Sequence, residues 1–100
     1  YSGSYTHDAQ VVIYNGPDLD YTGKEIFFGC NETHVEIVDV SDKNNPVLIS
    51  IAEYSNVGYT HQGWLTDNQR FFIVGDELDE LNNGTLTKTI VFDLEDLDNP

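Results

Sequence analysis

Tyr5-Thr6-His7 recurs as Tyr59-Thr60-His61, 54 residues further along the chain. Asp39 recurs at the same distance as Asp93, and Pro46 as Pro100. The apolar positions keep step: Ile37 falls over Val91, Val38 over Phe92, Val40 over Leu94. One offset shared by three separate motifs marks two copies of one structural unit, residues 1–54 and 55–100. Repeats of this length belong to solenoids, propellers and arrays. In this register the first residues are the tail of a preceding unit, and the second copy stops before its last strand. The expectation is a piece of a longer repeat protein, whose units bury their faces against one another.

The apolar runs are short and β-rich, without helical periodicity. Gln10–Tyr14 reads as a strand ended by Asn15-Gly16-Pro17-Asp18, which is strong turn chemistry. Glu25–Cys30, His34–Val40 and Val47–Glu53 complete four strands in the first unit. Gly63–Leu65, Arg70–Gly75 and Thr87–Leu94 repeat the plan in the second. The first unit spends its extra residues between strands one and two. The second spends them between strands two and three. The fold class this predicts is all-β: two consecutive four-stranded antiparallel blades of a β-propeller. Trp64, beside Gly63, is expected in the core between blades, with a ligand-stacking surface as the other reading.

The charge balance is extreme, with four basic residues against eighteen acidic ones and a net charge of −14. Nucleic acid and anionic membrane need a basic footprint, so neither is an expected partner. No apolar stretch is long enough to span a bilayer. Three uses of the acidity remain: solvation of a secreted or salt-adapted surface, divalent cation binding, and attraction to a basic partner. Cys30 is the only cysteine and lies in the apolar run Ile26–Cys30, so it reads as a small buried hydrophobe.

Val35 to Pro46 reads VEIVDVSDKNNP and resembles the LVIVD repeat, roughly hydrophobic-x-IVDVSDP-x-x-P. Lys43 stands where that family usually has its first proline. Thr89 to Pro100 is a more degenerate copy. His7-Asp8, Tyr14–Asp18, Tyr59–Leu65 and Asp76–Glu80 make the surroundings similar to the choice-of-anchor B group. These are secreted or surface-attached proteins built on LVIVD propellers. The resemblance covers nearly the whole chain. It implies a propeller fold and an extracellular or cell-surface setting, and it implies no particular activity. The partners it implies are the remaining blades of the same propeller or other chains of an assembly.

His7 and His61 are repeat-equivalent and, in a propeller, would sit on neighbouring inner strands facing the central channel. With Asp8 and Gln62 beside them they could bind a metal or a polar ligand. The competing reading is that each histidine braces its own blade. Asp18, Asp20 and Thr22, with Gly23 at the sixth place, resemble the front half of a calcium loop. The closing acidic residue of an EF-hand is replaced by Gly29, so calcium would need a looser site there. An Asx-stabilised turn explains the same residues. Asp76 and Asp79 lead a second acidic cluster, read as solvated loop or as cation site. Asn31 and Asn83 head glycosylation sequons, relevant only to a eukaryotic secreted protein.

No nucleophile elbow or phosphate loop is present. Two functions follow. The first is a non-catalytic extracellular propeller module for binding or structural assembly at the cell surface. The alternative is a metal-dependent enzyme with a site at the channel mouth, using His7, His61 and the acidic loops. Calcium is the one cofactor the sequence suggests.

Overall fold

Seven strands form two antiparallel meanders in the computed structural model, which describes residues 6–54, 59–77 and 89–100. β1 (Asp8–Ile13), β2 (Glu25–Asn31), β3 (His34–Asp39) and β4 (Val47–Ala52) make the first sheet, in the order β1-β2-β3-β4. β5 (Tyr59–Leu65), β6 (Phe71–Glu77) and β7 (Thr89–Asp93) make the second, in the order β5-β6-β7. A single 3-10 turn at Leu19–Tyr21 is the only helical element among the described residues. All pairing within the two sheets is antiparallel.

The ladders reproduce the internal match. Gln10 pairs with Phe28 as Trp64 pairs with Ile73, and Val11 with Phe27 as Leu65 with Phe72. Phe27 then meets Val38 as Phe72 meets Phe92. The turns correspond as well. The Asp39 carboxylate accepts the Ser41 amide, and the Asp93 carboxylate accepts the Glu95 amide. The Asp42 carboxylate accepts from Asn44 N, as the Asp96 carboxylate accepts from Asp98 N. These aspartates close their loops through side-chain-to-backbone bonds, the usual reason for Asp in turns.

The two sheets pack face to face. Ile26, Phe28, Cys30, Val35 and Ile37 of the first meet Leu65, Phe72, Val74 and Phe92 of the second. Phe28 and Phe72 stack with ring centroids 5.4 Å apart and planes 20° from parallel. Burying side chains of this size stabilises by roughly 1.5–3 kcal/mol each. Gly63 permits the close approach of β5. A Cβ there would stand 2.4 Å from the Phe72 ring and 3.2 Å from Cys30 Sγ.

Trp64 corrects the sequence reading. It is 64% exposed, on the face of the second sheet that points away from the first. Its counterpart Gln10 lies on the face of the first sheet turned toward the second, where its Oε1 accepts from Leu65 N. Both residues use the same face of equivalent strands, but only the first sheet has a described neighbour on that side. Tyr14 also differs from expectation. It leaves β1, buries completely, and its hydroxyl accepts the Asp18 amide.

Gly63→Ala is expected to destabilise the chain by about 1–3 kcal/mol through overpacking. Gly75→Ala, whose added Cβ finds its nearest neighbour at 3.4 Å, is expected to cost well under that. Thermal unfolding of the two variants side by side checks the difference.

Candidate functional site

β1 and β5, the first strand of each sheet, lie close together, and side chains from the face of β1 reach the open edge of β5. Asp8 Oδ2 accepts from Gly63 N at 3.4 Å, and Gln10 Oε1 accepts from Leu65 N at 2.9 Å. These amides lie on the edge of β5 away from β6, and would otherwise be open donors. Beyond them, a concavity of about 430 Å³ opens on the outer side of the second sheet. Asp8 and Gln62 form its polar wall, and Trp64, Ile73, Gly75 and Thr89 its largely apolar floor. The structure thus brings two of the four expected channel residues, Asp8 and Gln62, to one surface.

His7 is exposed just before β1, where its amide donates to Cys30 O at 2.9 Å. His61 lies in β5 at a register shift between Thr60 and Gln62, and its side chain is outside the described atoms. The acidic loop of the first unit has a different occupation. Asp18 caps the 3-10 turn, with Oδ1 accepting from Asp20 N at 3.2 Å. Its Oδ2 accepts from Leu97 N at 2.9 Å, in the last turn of the second unit. Leu97 is fully buried, and its carbonyl accepts the Ser50 hydroxyl at 2.6 Å. Tyr21 adds a bond to Asp98, which pushes the Tyr21 phenol pKa well above its ordinary value. Asp18 therefore pins the two units together, and the Asx-turn reading explains the loop. Thr22 ends the 3-10 turn through its amide, which bonds Leu19 O. Asp20 sits in the first turn.

Among the described residues, no three His, Cys, Asp or Glu side chains group closely enough to hold a metal ion. Asp76 lies at the end of β6 with its side chain undescribed, and Asp79 and Asn83 fall outside the described residues. Asn31 is in the structure and is 1% exposed, with its Oδ1 accepting the Thr6 hydroxyl at 2.7 Å. A glycan cannot attach to Asn31 without pulling that side chain out of the sheet.

One arrangement escaped the sequence reading. Thr33 Oγ1 lies 2.9 Å from His34 Nδ1, and His34 Nε2 lies 3.1 Å from the buried Glu36 carboxylate. Strand alternation puts His34 and Glu36 on one face of β3, so the pair was visible in the two-residue spacing. Hydroxyl, imidazole and carboxylate in line is the order of an activated nucleophile. Here the line runs along a hairpin tip, while the concavity lies on the second sheet. Its evident work is structural: it ties the hairpin tip to the buried Glu36 carboxylate. Cys30 is likewise spent on packing: burial, with Asp8 as the lesser cause, pushes its thiol pKa up to about 12.

No known protein family, curated protein or solved structure matches the chain.

Asp18→Ala leaves the buried Leu97 amide without its acceptor, and is expected to cost about 1–3 kcal/mol in chemical denaturation. Asp39 supplies a pH test. Burial works to raise its pKa, but the Ser41 amide and hydroxyl and the Lys24 ammonium outweigh it and hold the pKa low. Its contribution is therefore full above the ordinary value near 3.8 and is lost as pH falls through the lower folded value. Asp39→Ala is expected to cost about 1–2 kcal/mol at neutral pH. The gap to the natural chain should close once pH has fallen well below the ordinary carboxylate range, measured by urea unfolding at several pH values.

Proposed function

We propose that the chain is a non-catalytic β-propeller module that serves binding or structural assembly at the cell surface. The observation that carries this reading is the packing of the two meanders, front to back, with β1 and β5 adjacent. That is how consecutive blades meet around an axis. The equivalent ladders and turns support reading the two sheets as copies of one unit, and exposed apolar residues on both outer faces suit further neighbours. The extracellular setting rests on the resemblance to surface-attached LVIVD proteins and on the net charge of −14. Two side chains that sequence marks for chemistry hold the fold instead: Asp18 clamps Leu97, and Asp8 caps an edge amide.

Calcium would belong to the acidic loops. The first loop spends its leading aspartate on the clamp, so its donor set fits a cation poorly. Asp76 and Asp79 remain the candidates.

Electron microscopy of the protein isolated from its source should show ring-shaped particles with a central hole. Elongated particles without a hole overturn the propeller reading. For the cation, the expected result is a larger rise of the unfolding temperature in calcium than in magnesium at equal ionic strength. Equal rises mean charge screening alone.

A further inference from the structure

The second sheet turns outward the same face that the first sheet turns toward it. By the ladder pairings, Phe28 and Ile37 of the first sheet correspond to Ile73 and Val91 of the second. Phe28 and Ile37 are buried between the sheets, whereas Ile73 is 41% exposed and Val91 57%. The converse also holds. Leu65 and Phe72, which cover the first sheet, correspond to Val11 and Phe27 on its outer face. Val11 there is 54% exposed. The chain thus carries both halves of its own internal interface, one on each outer surface. Such an interface is heterologous: it joins unlike faces of identical units.

We propose that the outer face of the second sheet docks on the outer face of the first sheet of a second copy of this chain, head to tail. This rests on the front-to-back reading above and names the partner of the concavity beside Trp64. Ile73 packs on the second copy's Phe27, as Phe28 packs on Phe72. The Gln62 amide oxygen accepts from the second copy's Ala9 N, as Asp8 accepts from Gly63 N. Trp64 replaces Gln10 and substitutes buried area for a hydrogen bond.

The clamp is not repeated. Asp18 belongs to the long β1–β2 link, whereas β5 and β6 are joined by the tight turn at Thr66–Arg70, closed by Thr66 N to Phe71 O. Lys43, which pairs with Glu25, occupies the place of the buried Leu97. Docking between copies is therefore weaker than packing within one chain. The charge of −14 opposes it until salt screens the repulsion.

Trp64 is the only tryptophan, so its emission reports directly on cover at this face. In about 0.5 M salt, where the screening length is only a few ångströms, sedimentation should show association that grows with protein concentration. Trp64 emission should shift to the blue in step. Val11→Glu spoils one face and Ile73→Glu the other, both at exposed positions, with circular dichroism confirming the β-fold. Each variant alone should self-associate at least tenfold more weakly. Mixed one to one they should form a dimer, since the mixture restores one intact pair of faces. Overturning results are a natural chain that stays monomeric, a Val11→Glu variant that still self-associates, or a mixture that stays monomeric. A monomeric chain beside ring-shaped particles of the isolated protein overturns this docking alone and leaves the module reading standing.

Discussion

Everything else in the molecule follows from how closely β5 can approach the first sheet. Phe28 and Phe72 stack only because Gly63 leaves room for the Phe72 ring above Cys30. That approach brings β1 and β5 together, so the Asp8 and Gln10 side chains reach the open amides of β5. An uncapped edge strand would be a template for uncontrolled pairing. Here close packing and edge protection have one cause. The outer link then locks the arrangement: Asp18, Ser50 and Tyr21 all bind the turn that carries Leu97 and Asp98.

Much of this fold was legible in the chain. Turn residues marked the strands, and the shared offset predicted which positions correspond. The ladders agree with that register in β1 and β5 and in β3 and β7. The uneven loops were also visible, because extra residues fall in different links of the two units. Trp64 shows where the reading stopped. Alternation tells which residues share a face, but which face meets which sheet is a tertiary choice. The Asp18 bond to Leu97 was invisible for a related reason. It spans 79 residues, and nothing local distinguishes a carboxylate that caps a turn from one that also clamps a distant amide.

The expected sites divide along the same line. Asp8 and Gln62 meet at one concavity because β1 and β5 pack against each other where the two sheets meet. Asp18 and Asn31 turn inward because buried backbone and hydroxyl groups need partners. Polar residues in this chain are therefore poor guides to ligands, since a two-sheet fold with many tight turns consumes them. The His34–Glu36 pair makes the same point: a constellation with the order of a catalytic relay sits at a hairpin tip and bonds a buried carboxylate.

The buried thiol carries a consequence for the protein's lifetime. Cys30 is the sole cysteine and lies under Gly63, where any added bulk would collide. In an oxidising milieu an exposed lone thiol invites mixed disulfides and crosslinked dimers. Its modification is therefore tied to separation of the two sheets, so an oxidised Cys30 would be a durable chemical record that one molecule had come apart.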